Sequence, residues 1–300
     1  MGFLDDAGDF IGRGAAAARG AASSFAGEQL PFVRSFVRMC DDGWHAGYHE
    51  SNGGNASLWL TVGEVEQMRP LFYDTPGSWV AFSQPTPSMA GEYLIVTGSG
   101  KHLRNVATDT ISNIGVVQVN STGESWRVVW GLRNGGLPTS ELAAHVASFA
   151  AMRADGREGV RVLYHAHPSA VVALTKLFSG DWRDLTLLLW SAHSEGIVAF
   201  PRGVYFVPFA TPGTAELARL TAGGMALCDA CVWQHHGVFA SGCDCDAAFG
   251  VVAAIDKAAD VHLKALAANG GIEPPYTISK ADLLAITKAY GLAIHDEVLA

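Results

Sequence analysis

Two histidines stand two residues apart at the end of Val160-Arg161-Val162-Leu163-Tyr164-His165-Ala166-His167, a run that reads as a β-strand. Alternate strand residues project to one face, so both imidazoles point together from Cα atoms ~6.6 Å apart. That separation lets two ring nitrogens converge on one metal ion. His-x-His alone is a weak signal. A third candidate, His236, closes the apolar run Val232-Trp233-Gln234-His235-His236-Gly237-Val238, where Gly237 permits close backbone approach. Three neutral imidazoles leave a coordination position open, the pattern of a catalytic rather than a structural ion. Spacing alone equally allows His236 to be a core histidine. His235 faces the other way if the strand is regular, which suits a supporting role.

A carboxylate comes next. Pro138-Thr139-Ser140-Glu141 places an acid in the first turn of an expected helix. Such an acid complements the helix dipole by ~0.3–1 kcal/mol, which explains it without any chemistry. The same four residues offer hydroxyls and free N–H groups to a phosphate, beside an acid able to move a proton. Both readings stand. Ser51-Asn52-Gly53-Gly54-Asn55 and Thr97-Gly98-Ser99-Gly100-Lys101 are neither a Walker loop nor a dinucleotide fingerprint. Each can turn tightly and present backbone N–H groups to an anion, or be a plain turn.

The elements that must hold these groups follow from periodicity. Phe32, Phe36 and Met39 predict a first helix from Pro31 towards Gly43. Strands are expected at Leu58–Val62, Ser78–Phe82, Glu92–Val96, Ile114–Val119 and Trp126–Trp130. Several strands in succession favour a substantially antiparallel sheet. Thr139 or Ser140 is a candidate N-cap for a helix burying Leu142, Val146 and Phe149. A long helix is expected over Asp246–Ala268, with Asp260 and Lys264 as an i,i+4 pair, and another from Ser279 to a stop at Gly291.

The 300 residues are 49% hydrophobic and 16% charged, so a large core is expected and disorder is not. Twenty-nine acids against 20 bases give a net charge of -9 and no basic stripe, which argues against nucleic acid. An anionic substrate must therefore be held by local groups. The longest apolar runs, such as Val251–Ile255, are too short for a membrane span. Asp5, Asp6 and Asp9 stand where a signal peptide would be basic and then apolar, so the reading is cytoplasmic. Residues 1–27 form a Gly/Ala-rich arm, and residues 28–300 are expected to be a single domain. Cys40, Cys228, Cys231, Cys243 and Cys245 are read as free thiols. Val232–Val238, taken as one strand, would hold the last two pairs ~20 Å apart.

Six segments, in this order, resemble those of the L-rhamnulose-1-phosphate aldolases: Ser51–Asn55, Val96–Lys101, Arg104–Val106, Pro138–Leu142, His165–His167 and His236–Phe239. These enzymes form a branch of the class II aldolase and adducin-like superfamily, and the resemblance spans roughly residues 30–295. The 24-residue interval from Glu141 to His165 is similar to that branch. The resemblance implies an α/β/α layered fold around a largely antiparallel sheet, and a cyclic homotetramer with interface active sites. It implies one Zn²⁺ on His165, His167 and His236, with Glu141 as catalytic base. Asn52, Asn55, Ser99, Gly100, Thr139 and Ser140 match positions that bind phosphate and dihydroxyacetone. Glu195 matches an acid acting from a neighbouring subunit, although the residues around it differ. The implied reaction is reversible cleavage of a phosphorylated ketose to dihydroxyacetone phosphate and lactaldehyde. There the metal acts as a Lewis acid stabilising the enediolate, and no lysine Schiff base is needed. The alternatives are another aldolase, epimerase or dehydratase of the superfamily, a non-catalytic adducin-like module, or a structural zinc protein.

Overall fold

Along the central strands, successive side chains enter two different hydrophobic cores, so the sheet is covered on both faces. The computed structural model describes residues 26–300. Its strands are β1 (Asn55–Trp59), β2 (Val80–Ala81), β3 (Tyr93–Thr97), β4 (Ile114–Val119), β5 (Ser125–Gly131), β6 (Val162–Ala166), β7 (Val204–Val207), β8 (Ala230–Trp233) and β9 (Gly237–Gly242). They form one nine-stranded sheet in the order β2-β5-β4-β3-β1-β6-β9-β8-β7. Every pairing is antiparallel except that of β7 with β8. On one face Ile95, Val162, Tyr164, Val232 and Val238 meet the helices Pro31–His45, Trp182–Ala192 and Cys245–Ala268. On the other, Leu94, Val96, Leu163, Cys231 and Phe239 meet Leu142–Ala154 and Ala215–Leu227. The architecture is the expected α/β/α with a mostly antiparallel sheet. Most of the arm expected over residues 1–27 lies outside the described residues.

Several expected boundaries move, each for a local reason. The strand expected over Leu58–Val62 is Asn55–Trp59. Thr61 caps a short helix, Val62–Met68, through a reciprocal capping box with Glu64, so the chain leaves the sheet early. Val232–Val238 is not one strand but a hairpin. It ends β8, turns through Gln234–His236 with His235 at φ +63°, and begins β9. The hairpin also overturns the separation argument for the cysteines, since Ala230 on β8 pairs with Ala240 on β9 and brings both ends together. All five cysteines are nonetheless free, and no cysteine belongs to a metal-competent group among the described residues. The helix expected at Thr139 begins at Leu142, with Glu141 at the cap position and no side-chain capping bond. Glu141 is thus no first-turn dipole partner. The late helices are close to expectation: Cys245–Ala268 carries the Asp260–Lys264 pair at 2.7 Å, and Ser279 caps Lys280–Tyr290, which stops at left-handed Gly291.

Candidate active site

The start of β1, the ends of β3 and β6, and the turn before β9 meet at one end of the central strands. The antiparallel register sets Asn55 directly opposite His165. Strand alternation then turns Asn55, Ser57 and His165 to the face that carries the helix Leu142–Ala154, because their neighbours Ala56, Leu58 and Tyr164 enter the opposite core. Backbone bonds join the remaining loops to these strand ends. Thr139 N–H donates to Thr97 O at 2.9 Å, and Ser99 N–H donates to Leu137 O at 2.8 Å. One cleft is consequently lined by Asn52, Gly53, Gly54, Asn55, Gly98, Ser99, Gly100, Thr139, Ser140, Glu141, His165, His167 and His236. Every residue singled out for metal, proton or phosphate chemistry stands there except Glu195. That residue opens the exposed start of the helix Glu195–Ala199, outside this cleft of the same chain.

The three imidazoles converge. His165 is buried at the end of β6, while His167 lies just past the strand and is tethered by its N–H to Tyr48 O at 2.9 Å. His236 sits in the β8–β9 turn rather than on a strand, and its N–H closes that turn onto Trp233 O at 3.0 Å. His235 is exposed and points away, with its N–H on Thr175 Oγ1 at 3.0 Å. A Cβ at Gly237 would come within 2.3 Å of Ala166 O and 2.8 Å of the His167 ring, so only glycine lets the turn approach β6. The Nε2 atoms of His165 and His167 are 3.0 Å apart, and those of His165 and His236 are 3.4 Å apart.

Tautomers make that convergence informative. His165 Nδ1–H donates to Val238 O at 2.9 Å, and His167 Nδ1–H donates to Glu50 Oε1 at 2.7 Å. Both acceptors take a proton from Nδ1, so in the neutral form of each ring the Nε2 lone pair faces the other ring. Burial holds His165 well below the ordinary imidazole range, with the neighbouring histidines adding to the effect. Burial, then the charge of His167, lowers His236 to about 4. Neutral rings with lone pairs aimed at one point repel each other unless a cation lies between them. The donor set fits a divalent metal with nitrogen affinity and an open position.

Glu141 lies beside this group, its Oε2 3.9 Å from His165 Nε2. Burial raises its pKa above the usual carboxylate range, while the Asn55 amide, donating to Oε2 at 2.8 Å, opposes the rise. Thr139 Oγ1 accepts from Glu141 N–H at 3.2 Å and fixes the backbone turn that aims the side chain inward. Gly54 sits at φ +76°, where a Cβ would meet His49 Nδ1 at 2.3 Å, so the first glycine loop is shaped by close packing as well as by turning. Sequence reasoning missed Glu50, which orients His167, and the buried pair Ser57 and His145 behind Asn55. Glu50 directly precedes the Ser51–Asn55 loop, yet nothing in its type or spacing marks it.

The Class II Aldolase and Adducin N-terminal domain model matches residues 34–263. The chain belongs to the class II aldolase family. It is 38% identical over 263 residues to a rhamnulose-1-phosphate aldolase of Enterobacter sp. (strain 638), covering 87% of this chain and 93% of the relative. A rhamnulose-1-phosphate aldolase of Yersinia pestis is likewise 38% identical over 260 residues, covering 86% of this chain and 93% of the other. Among solved structures, a sugar-phosphate aldolase from Thermotoga maritima superposes with a TM-score of 0.65 at 26% identity, covering 80% of this chain and 96% of that one. L-fuculose-1-phosphate aldolase from Thermus thermophilus shares the fold, with a TM-score of 0.54 at 19% identity over 80% of this chain and 96% of that one. Class II aldolases are metal-dependent lyases. In this class II aldolase the group His165, His167 and His236 can hold a metal, its ligand atoms lying within 4.8 Å of one another. No helix among the described residues is long and apolar enough to cross a membrane.

Proposed function

We propose that this chain catalyses reversible, zinc-dependent aldol cleavage of L-rhamnulose 1-phosphate to dihydroxyacetone phosphate and L-lactaldehyde. The observation that carries the reading is the single cleft in which the histidine triad, Glu141 and two glycine loops converge. Relatives named rhamnulose-1-phosphate aldolase, similar over nearly their whole length, support the choice of substrate. His165, His167 and His236 would hold the zinc, which when bound supplies Lewis acidity towards a ketose carbonyl.

The chain's own groups divide the remaining work. Asn52, Ser99, Gly100, Thr139 and Ser140 surround the outer cleft with hydroxyl, amide and backbone donors suited to a phosphate. Holding the phosphate there fixes the reacting carbons, so binding is converted into orientation. Asn55 gives one amide hydrogen to Glu141 and keeps the other for substrate. In cleavage the bond between the third and fourth carbons breaks, the fourth carbon becoming the aldehyde. Its hydroxyl proton must leave, and Glu195 of a neighbouring subunit is the proposed acceptor. The carbon that retains the electron pair must gain a proton, which Glu141 delivers; in condensation Glu141 removes it again. Burial raises the pKa of this carboxyl, the direction that favours its taking up the proton.

The catalytic unit is proposed to be residues 28–300, assembled as a cyclic homotetramer in the cytoplasm with active sites at subunit interfaces. Incubation with L-rhamnulose 1-phosphate and, separately, L-fuculose 1-phosphate tests the assignment. Release of triose phosphate, faster from the rhamnulose ester, is the expected result. Preference for the fuculose ester reassigns the substrate, and an epimerised or dehydrated product without triose phosphate overturns the aldol reading.

A further inference from the structure

Behind the cleft, three buried side chains form a single line that ends on Glu141. Ser57 Oγ lies 2.6 Å from His145 Nδ1, and His145 Nε2 lies 2.6 Å from Asn55 Oδ1. Asn55 Nδ2 then reaches Glu141 Oε2 at 2.8 Å. Ser57 and His145 are completely buried, and Asn55 is 7% exposed, so no solvent competes for these bonds.

With Glu141 ionised, as the base that condensation requires, one arrangement of hydrogens satisfies the whole line. A carboxylate accepts and cannot donate, so Asn55 must turn its amide nitrogen to Glu141 and its oxygen to His145. That oxygen accepts, so His145 must carry its proton on Nε2. Nδ1 is then left with a lone pair, which the Ser57 hydroxyl satisfies. Every donor points towards Glu141. Burial lowers the His145 pKa to about 3, which keeps the ring in this neutral form. The Phe239 ring packs edge-on against it with centroids 4.8 Å apart, and the backbone places His145 four residues beyond Glu141, at the start of the same helix.

We infer that His145, itself fixed by Ser57, is a positioning residue that locks the orientation of the Asn55 amide and through it the catalytic carboxylate of Glu141. Without the Nε2 donor, the Asn55 amide is free to rotate and to offer its oxygen to Glu141, which displaces the carboxylate from the proton it must move. The inference rests on the aldolase reading for its kinetic consequence, but its geometry stands alone.

The test uses the full-length, metal-loaded enzyme with two variants and one spectroscopic measurement. His145→Phe keeps an aromatic ring against Phe239 and removes both nitrogens. It is expected to lower kcat roughly tenfold to a hundredfold, the scale of one lost bond to a charged group, with zinc content unchanged. His145→Gln retains a neutral N–H donor of similar reach and is expected to recover most of that loss. In an Asn55→Ala background His145→Phe is expected to cost nothing further, since its effect passes through Asn55. Equal losses in both backgrounds indicate a merely structural role and overturn the inference, as does a folded His145→Phe enzyme with wild-type kcat. Nitrogen-15 NMR of histidine-labelled wild-type protein is expected to show His145 as the neutral Nε2–H tautomer. An Nδ1–H tautomer overturns the inference whatever the kinetics, even if His145→Phe does not fold. Absence of triose phosphate release by the wild type would instead sink the aldolase reading, and the tautomer would still decide the relay.

Discussion

Glu141→Gln is expected to lower turnover by roughly 10²–10⁴-fold, the usual range for removing a general acid or base, while zinc stays bound. Glutamine matches glutamate in shape, and its amide oxygen can still accept the Asn55 bond that the carboxylate accepts at 2.8 Å. What it lacks is a site for the proton. The change therefore separates proton transfer from packing, which Glu141→Ala would not, since that residue is 8% exposed and its removal leaves a hole beside Asn55. Steady-state rates measured in both directions give the magnitude. Deuterium exchange into dihydroxyacetone phosphate without any aldehyde isolates the step, and exchange should fall in parallel with turnover. An enzyme with near-wild-type exchange and turnover would remove Glu141 from the mechanism.

Metal removal is the second large effect. Dialysis against a strong chelator is expected to reduce triose phosphate release by ~10³-fold or more, because the Lewis-acid contribution is several kcal/mol and each 1.36 kcal/mol is tenfold. Added Zn²⁺ is expected to restore it. The fold should survive, since His165, His167 and His236 stand at the ends of central strands already held by strand pairing and by buried cores on both faces. Retained circular dichroism with lost and recoverable turnover is the predicted pattern. Full turnover after metal analysis has verified an empty protein would contradict it.

The site is more legible in the sequence than the path of the chain through it. His165 and His167 announce themselves because a two-residue period on an apolar strand puts both rings on one side, and the structure needs only to end the strand at Ala166. His236 is marked by its neighbours, although the segment holding it is a hairpin and not the expected strand. Val232, Trp233 and Val238 look like one continuous apolar run, whereas the run turns back on itself at Gln234–His236. A left-handed histidine at position 235 takes the place usually given to Asn or Gly, so no turn signal is visible. Glu141 is recognisable as an acid near a helix start, but its side chain serves Asn55 rather than the helix dipole. That distinction depends on the Pro138–Gly98 bridge between two distant loops, which no local pattern encodes.

His145 shows the other limit. The apolar stripe Leu142, Val146 and Phe149 defines the helix face, and a histidine beside it reads as incidental. Its partner Ser57 lies on β1, 88 residues away, and the two meet only because β1 runs beneath the first turn of that helix. Four residues separate Glu141 from His145, so both fall on one side of the turn; that spacing is the available signal. Glu195 carries no comparable signal, and its proposed role depends on a second subunit.

Three imidazoles, His165 near the end of β6, His167 just past it and His236 in the β8–β9 turn, are proposed to share one divalent cation. Anomalous diffraction at the zinc edge, from crystals of enzyme purified without chelator, tests this most directly. A single strong peak per subunit, enclosed by Nε2 of His165, His167 and His236 and beside the Glu141 carboxylate, is the predicted result, with the peak lost in His236→Ala. A zinc-replete protein with no peak between these rings, or one whose peak persists unchanged in His236→Ala, would contradict the account.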